Sequence, residues 1–208
     1  MDKKEIIENA KNDAVGYHEY IAFIESLHEK KKATSFQDNS KYFEHSLMSL
    51  TRMNRIYKKL ELSNDSINIL KSIQAKQNWI LITESWCGDA SQTVPVIAKM
   101  SQVTDKIDLK IVLRDSNPEF MDLYKTNGSI SIPILVLFDE SWNELAVWGP
   151  RPEPAQAKVL EYKKLPDDKK PAYSELSHDL QKWYNSDKGK TTQEEVLKLI
   201  NSISEVQI

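Results

Sequence analysis

Cysteine is almost absent from this chain of 208 residues, in which Cys87 is the only one. A single cysteine cannot form a disulfide within the chain, so no such cross-link stabilises the fold. The first residues, MDKKEIIENAKND, are rich in charge and lack the continuous apolar core of a secretory signal peptide. These two absences predict a reducing environment, and we expect a cytoplasmic location.

Long apolar runs are also absent, since no stretch approaches the ~20 consecutive apolar residues that a membrane-spanning helix needs. The net charge is only −3 at pH 7, which argues against nucleic acid or an anionic membrane as a partner. The chain has only 5 glycines and no low-complexity tract, so no linker is apparent. Its 40% apolar and 28% charged residues are typical of a globular protein, either one domain or one domain with an extension.

Helical periodicity dominates residues 1–75, where apolar side chains recur at spacings of three and four. The first such stripe is Tyr20, Phe23, Ile24 and Leu27, and the second is Phe43, Leu47, Leu50, Met53, Tyr57 and Leu60. A third, short helix is expected over residues 67–73. We interpret these stripes as faces that pack against the rest of the chain.

The pattern changes in the middle of the chain to short apolar runs that alternate with helices. Strands are predicted at 79–83, 109–113, 132–138 and 144–148, the first continuously apolar and therefore buried on both faces. Helices are predicted over 90–103 and from Pro118, with Asn117 as its N-cap, to about Tyr124. This order predicts an α/β sandwich whose first two strands are parallel and whose last two are antiparallel.

Helical character returns after residue 154, first in 155–164 and then in two further amphipathic segments. The apolar positions of these segments are Leu176, Leu180, Trp183 and Tyr184, and then Val196, Leu199, Ile200 and Ile203. Thr192 and Glu195 have the spacing of a capping box for the last helix. Trp142, Trp148, Trp183 and Tyr184 are expected in the core or where the C-terminal helices dock.

The order of elements, with Trp-Cys-Gly between a strand and a helix and Ile-Pro opening the third strand, resembles the thioredoxin superfamily. The stretches ESWCGDA, LRDSNPEFMD, TNGSISIP, WGPRPEPAQ, LQKWYNSDKG and RMNRIYKKL resemble a bacterial thioredoxin-like family with a W-C-G-D-[C or A] motif. The resemblance implies a thioredoxin-like fold, with a mixed four-stranded sheet flanked by helices, in residues 77–165. Residues 1–76 and 166–208 would be helical extensions of one compact unit.

The same resemblance assigns roles to individual residues. Cys87 matches the attacking cysteine, Pro133 the cis-proline that faces it, and Pro95 the proline inside the active-site helix. The positions that would contact substrate are Trp86, Gly88, Asp89, Ile132, Pro133 and, more loosely, Gly149. Three departures matter: the resolving cysteine is replaced by Ala90, the usual proline before it by Asp89, and the buried acid of thioredoxins by Leu81. The chain is therefore not expected to be a two-cysteine reductase.

A lone thiol at this position has two interpretations. The reactive species is the thiolate, which a helix N-terminus favours and the carboxylate of Asp89 opposes; we expect a modestly activated Cys87. Without a cysteine at residue 90, a mixed disulfide must be resolved by a second thiol from a small molecule or a protein. In the alternative, the thiol is inert and the groove at Ile132 binds a peptide without chemistry. Neither interpretation requires a resident cofactor.

Other candidate residues carry weaker signals. Glu84, at the end of the first strand, is either a general base or a solvated strand-end acid. Arg151 either holds a carboxylate of a thiol co-substrate or is simply exposed, and Arg114 and Asp115 are expected to pair locally. The four histidines, His18, His28, His45 and His178, lack the spacing of a metal site, so no metal is expected.

Overall fold

A mixed four-stranded sheet forms the centre of the computed structural model, which describes residues 1–35 and 40–206. Its strands are β1 (Gln77–Thr83), β2 (Ile107–Leu113), β3 (Ile134–Asp139) and β4 (Glu144–Trp148). The spatial order is β2-β1-β3-β4. β1 is parallel to β2 and antiparallel to β3, which in turn is antiparallel to β4. The predicted fold class and both predicted strand directions are confirmed.

Helices flank this sheet on both sides and extend it at both ends of the chain. They are α1 (Lys3–Asp13), α2 (Tyr17–Glu29), α3 (Ser40–Lys59), α4 (Asn64–Lys71), α5 (Ala90–Ser101), α6 (Pro118–Asp122), α7 (Glu153–Lys164), α8 (Tyr173–Asp187) and α9 (Lys190–Val206). Residues 36–39 and 207–208, which belong to the predicted extensions, lie outside the described residues. Within the described part, no helix is long and apolar enough to cross a membrane.

β1 and β3 are the most deeply buried strands, because helices cover both faces of the sheet. Every side chain from Trp79 to Ile82 is at most 1% exposed, and Leu135 to Phe138 are fully buried. Burying an aliphatic or aromatic side chain of this size stabilises a fold by about 1.5–3 kcal/mol. The continuous apolar runs in the sequence therefore correspond to the centre of the core. The carboxyl end of β1 leads into the turn that precedes α5.

The N-terminal helices pack on this core, although not through all of the predicted positions. Tyr20 and Ile24 of α2 and Met53 of α3 are buried, whereas Phe23 is 44% and Leu47 37% exposed. The inward face of α3 instead consists of Ser46, Ser49 and Met53. The prediction was wrong for Leu47, because small hydroxyl side chains face the neighbouring elements at this end of α3, and for Phe23, because the buried face of α2 consists of Tyr17, Tyr20 and Ile24.

The capping box predicted at Thr192 and Glu195 was also wrong. α9 begins two residues earlier, and Asp187 caps it by accepting a hydrogen bond from the backbone N–H of Thr191 at 3.2 Å. Glu195 is used elsewhere, since its carboxylate accepts hydrogen bonds from Trp148 Nε1 and from the Glu153 backbone N–H, both at 2.7 Å. These bonds tie α9 to the end of β4. Asn117 does occupy the N-cap position of α6, but its side chain makes no capping hydrogen bond.

α7 and α8 form a helical hairpin with a small hydrophobic cluster of its own. We call this the hairpin cluster, and it consists of Ala155, Val159, Leu176, Leu180 and Tyr184, with Tyr162 and Trp183 packed against it. It is separate from the main core, to which Trp142 and Trp148 belong. Of the four aromatic residues singled out in the sequence, Trp142 and Trp148 thus belong to the main core, and Trp183 and Tyr184 to the hairpin cluster.

Candidate functional site

The only cysteine lies in the turn that joins β1 to α5. The backbone N–H of Cys87 donates to the Glu84 carbonyl at 3.2 Å, and the Cys87 carbonyl accepts from the Ser91 N–H at 3.0 Å. These bonds close the turn and start the first coil of α5, so the thiol is held at the N-terminal end of the helix. Pro95 lies inside α5, where the resemblance to thioredoxins places it.

The thiol faces the segment that leads into β3. The Ile132–Pro133 peptide bond is cis, and Cys87 Sγ donates to the Ile132 carbonyl at 3.4 Å. The predicted strand began at residue 132, but β3 begins at Ile134, so these two residues form its entrance. The backbone N–H of Ala90 donates to the same sulfur at 3.5 Å. The structure thus brings together the residues that the sequence placed around the thiol.

Gly149 forms the far wall of this arrangement, directly after β4. Its φ is +121°, and a Cβ there would lie 2.4 Å from the Pro133 carbonyl oxygen. Any side chain here would be strained by the positive φ and would also collide with the Pro133 carbonyl oxygen. The absence of a side chain at Gly149 is therefore what allows the backbone beside Pro133 to approach so closely.

Burial sets the ionisation of the thiol. Cys87 is only 8% exposed, and loss of hydration raises its pKa to about 12, with a further increase from the carboxylate of Asp89. The Ala90 N–H and the Arg151 guanidinium act in the opposite direction but are outweighed. The expectation of a modestly activated thiol was therefore wrong in direction, because the apolar surroundings oppose the charge more than the helix end favours it.

Asp89 is bound on both carboxylate oxygens. Nε and Nη2 of Arg151 both lie 2.8 Å from Oδ2, and the Tyr184 hydroxyl donates to Oδ1 at 2.9 Å. The side chains of Arg151 and Asp89 are only 13% and 12% exposed. The two sequence interpretations of Arg151 were an exposed side chain and a partner for the carboxylate of a small thiol. The structure shows neither arrangement. Arg151 is paired within the protein.

α8 lies directly over the same turn. Gln181 Nε2 donates to the Gly88 carbonyl at 3.4 Å, and its amide oxygen accepts from Gln92 Nε2 at 2.7 Å. A Cβ on Gly88 would lie 3.5 Å from Gln181 Nε2. Sequence reasoning missed Gln181 and Tyr184 as site residues, because the periodicity of α8 indicates which face is inward but not what that face contacts.

Glu84 is buried beside the thiol turn and is not a solvated acid. It is 1% exposed, its Oε2 accepts from the Thr34 hydroxyl, and its Oε1 accepts from the Asp115 N–H at 2.9 Å. Burial raises the pKa of Glu84 to about 7, against the lowering effect of these two hydrogen bonds. The two carboxylate oxygens are thus bonded to the Thr34 hydroxyl and to the Asp115 backbone N–H. Among the described residues, no hydrogen bond joins this carboxylate to the thiol.

Ser85 continues this buried polar network into the N-terminal helices. Its hydroxyl accepts from the Thr34 N–H at 3.1 Å and from the Ser46 hydroxyl at 2.7 Å. Ser46 in turn lies 2.8 Å from Nε2 of His28, whose pKa is lowered by burial. Ser46 of α3 therefore faces inward, where the thiol turn offers it a hydrogen-bonding partner.

Trp86 is packed between an aromatic ring and a cation. The Tyr42 ring centroid lies 4.8 Å from that of Trp86, and the guanidinium of Arg114 lies 4.7 Å from the Trp86 ring centroid. Arg114 also pairs with Asp115 at 2.7 Å, as predicted. A groove of about 390 Å³ opens next to this stack, lined by Ser35, Tyr42, Arg114, Asp115, Pro118, Met121 and Ile130.

Potential metal ligands are dispersed through the structure. Across residues 1–35 and 40–206, no group of three or more His, Cys, Asp or Glu side chains is placed to hold a metal ion. The arrangement around Cys87 consists instead of one thiol, one ion pair and backbone groups. Such a set can bind an extended chain and exchange a disulfide, provided that the thiol ionises.

Comparison with known proteins agrees with the fold. A family model described as thioredoxin matches residues 36–169. A protein of unknown function from Pseudomonas aeruginosa superposes with a TM-score of 0.56 at 18% identity, over 74% of this chain and 85% of that one. An HIV epitope scaffold superposes with a TM-score of 0.51 at 18% identity, over 90% of this chain and 99% of that one. No curated protein matches.

Proposed function

Because the chain belongs to the thioredoxin family, we propose that it is a monothiol thiol–disulfide oxidoreductase in which Cys87 is the nucleophile. The observation that carries this proposal is the position of Cys87 Sγ at the start of α5, 3.4 Å from the Ile132 carbonyl. An ordinary core thiol would have no reason to lie at a strand-to-helix turn that faces the cis Ile132–Pro133 segment at the entrance of β3. A cytoplasmic location, where free thiols stay reduced, suits this chemistry.

The reaction consists of two exchanges. Cys87 loses its proton to solvent and its thiolate attacks a substrate disulfide, forming a bond to one sulfur and releasing the other as a reduced thiolate. A low-molecular-weight thiol, as its thiolate, then attacks the substrate-derived sulfur of the mixed disulfide. A new disulfide leaves and Cys87 returns as a thiolate. In the net exchange the sulfur of the small thiol is oxidised to the disulfide level, the released substrate sulfur is reduced to a thiolate, and Ala90 takes no part.

The backbone of Ile132 is the proposed docking point for substrate. An extended segment can add to it as an extra strand, with the backbone groups giving affinity and the neighbouring side chains giving selectivity. In this proposal Trp86, Gly88 and Gly149 would contact the docked segment, and Pro133 would face the sulfur. We therefore infer a protein or peptide disulfide as the substrate and a small thiol as the co-substrate, with no resident cofactor.

Trapping of the mixed disulfide tests the proposal. The full chain is incubated with the aromatic disulfide dithiodipyridine between pH 7 and pH 10, and the adduct on Cys87 is measured by mass spectrometry. We expect one adduct on the native protein and its release by glutathione, with none on Cys87→Ser. A folded protein that forms no adduct anywhere in this range contradicts the proposal.

A second candidate function is favoured by the burial of the thiol. With a pKa of about 12, only about one molecule in 10⁵ carries a thiolate at pH 7. A thioredoxin-fold module that binds a peptide through Ile132 without redox chemistry would need no thiolate. In that case a peptide partner would bind Cys87→Ser as tightly as the native chain, and no mixed disulfide with the partner would form.

A further inference from the structure

We propose that Asp89 controls the reactivity of Cys87 in two ways, by fixing α8 over the thiol turn and by keeping the Arg151 guanidinium occupied. The inference rests on the proposed function, because it concerns the regulation of the same thiol. Asp89 is thus a positioning residue, and release of its carboxylate would uncover the sulfur and free a cation beside it.

The attachment of α8 to the thiol turn is polar. Tyr184 donates to Asp89, and Gln181 donates to the Gly88 carbonyl while it accepts from Gln92. The apolar side chains of α8 pack in the hairpin cluster rather than in the main core. A displacement of the hairpin would therefore keep these apolar contacts, and at the thiol turn it would break only polar contacts.

A cleft separates the C-terminal part of α8 from the body of the protein. It has a volume of about 500 Å³ and is lined by Arg55, Ile56, Lys59, Leu60, Glu61, Gln92, Tyr184, Asn185, Lys188 and Gly189. Arg55 bridges it with a hydrogen bond to Asn185 at 3.2 Å. Since tightly packed interiors leave few such spaces, α8 is not seated closely on α3 and α5. Its position depends on its polar bonds, and those of Tyr184 and Gln181 at the thiol turn are more buried than the one between Asn185 and Arg55.

Charge gives Asp89 its second effect. The carboxylate lies two residues from the sulfur and opposes a thiolate, while Arg151 favours one. As long as Arg151 is paired with Asp89 at 2.8 Å, most of its charge is neutralised. Removing the negative charge of Asp89 removes a repulsion and leaves the guanidinium unpaired, so both changes favour the thiolate.

Two isosteric substitutions separate the two effects. Asp89→Asn removes the charge, whereas Tyr184→Phe removes the hydroxyl that joins α8 to Asp89 and leaves the ion pair intact. The readout is the rate of alkylation of Cys87 by iodoacetamide in the full chain, measured against pH. We expect Asp89→Asn to lower the apparent pKa of Cys87 and to raise the rate at pH 7.5 by at least about tenfold. Tyr184→Phe should raise the rate at every pH without moving the pKa.

Matched controls exist in the same hairpin. Asp179→Asn removes an exposed carboxylate from α8, and Tyr162→Phe removes a hydroxyl that donates to the Pro171 carbonyl at 3.0 Å. Both should alkylate at the native rate. The double variant Asp89→Asn with Arg151→Gln should return the apparent pKa toward the native value, because the freed cation is gone. Circular dichroism confirms that each variant is folded.

Two outcomes would overturn the inference. If Asp89→Asn alkylates no faster than Asp179→Asn, Asp89 does not restrain the thiol. If Asp89→Asn and Tyr184→Phe raise the rate equally with an unchanged pKa, the charge effect is wrong and α8 acts only as a cover. Alkylation reports on the thiol whether or not the protein exchanges disulfides. Failure of this inference is therefore distinct from the absence of a mixed disulfide, which would overturn the proposed function.

Discussion

Thr34 and Glu84, separated by 50 positions in the sequence, share a buried hydrogen bond in which the threonine hydroxyl donates to the carboxylate. This bond connects the segment between α2 and α3 to the end of β1, three residues before the thiol. A carboxylate at this depth is costly to ionise, and its pKa rises from 4.5 to about 7. We therefore expect the stability of the junction between the N-terminal helices and the thiol turn to depend on pH.

The sign of this dependence follows from linkage. Between pH 4.5 and pH 7 the folded protein holds a proton on Glu84 that the unfolded chain has lost, so the free energy of unfolding falls as pH rises through this window. From the difference between the two pKa values, the loss is on the order of 3 kcal/mol. The charged neighbours of Glu84 act in opposite directions, since Asp115 raises the pKa of Glu84 and Arg114 lowers it.

We expect Glu84→Gln to remove this dependence, because an amide does not ionise. The free energy of unfolding of the variant, measured with urea at pH 5, 6, 7 and 8, should exceed that of the native chain above pH 7 and approach it at pH 5. Glu119→Gln, at an exposed carboxylate in α6, should keep the native profile. Parallel profiles for the native chain and Glu84→Gln would show that Glu84 does not titrate in this window.

Gly149→Ala tests the close approach beside Pro133. The new Cβ would lie 2.4 Å from the Pro133 carbonyl oxygen, at a φ of +121°. We expect a loss of about 2–3 kcal/mol in the free energy of unfolding, because the backbone of β3 or β4 must move. The mixed-disulfide yield should fall as well, since the same movement displaces Ile132 from Cys87.

Gly128→Ala is the matched control for this substitution. Gly128 also has a positive φ, +75°, but nothing lies within 4 Å of the Cβ position. Conformational strain alone should cost about 1 kcal/mol there. Equal losses for the two alanine variants would mean that the contact with Pro133 contributes nothing, and that only the backbone conformation of Gly149 matters.

The fold followed from the sequence more fully than the site did. Apolar runs such as 79–83 and 132–138 indicate buried strands, and the Trp-Cys-Gly turn located the thiol. The sequence could not show that Asp89 meets Arg151 and Tyr184, which are 62 and 95 positions away. Periodicity indicates which face of a helix is inward, but the partner of a polar atom depends on where distant helices come to rest. The same limit left open whether Cys87 is buried, and it hid the bond between Thr34 and Glu84.

The pH dependence of the thiol checks the burial of Cys87 in the native chain. With a pKa of about 12, the thiolate fraction, and with it the alkylation rate by iodoacetamide, should rise by about tenfold per pH unit from 7 to 10. Cys87→Ser should incorporate no label. A rate that levels off below pH 9 would show that the thiol is more exposed, or better stabilised as an anion, than its contacts with Ile132 and Ala90 indicate.

Ala90→Cys tests whether the missing second cysteine is what makes the proposed exchange depend on an external thiol. The new side chain would stand where Ala90, 1% exposed, now donates its N–H to Cys87 Sγ at 3.5 Å. After Cys87 has formed a mixed disulfide with dithiodipyridine, the introduced thiolate can attack Cys87 Sγ, release the pyridine thiol and close an internal disulfide. We therefore expect the adduct to disappear without added glutathione, leaving a protein lighter by two hydrogen atoms.

Ala98→Cys is the matched control for this last substitution. It adds a cysteine at a fully buried position two turns further along α5, beyond reach of the sulfur, and should leave the adduct stable. Equal adduct lifetimes in the two variants would show that a thiol at residue 90 cannot reach Cys87. The chain would then lack the geometry of a dithiol site as well as its second thiol, because side chains at residues 87 and 90 would not bring two sulfur atoms within bonding distance.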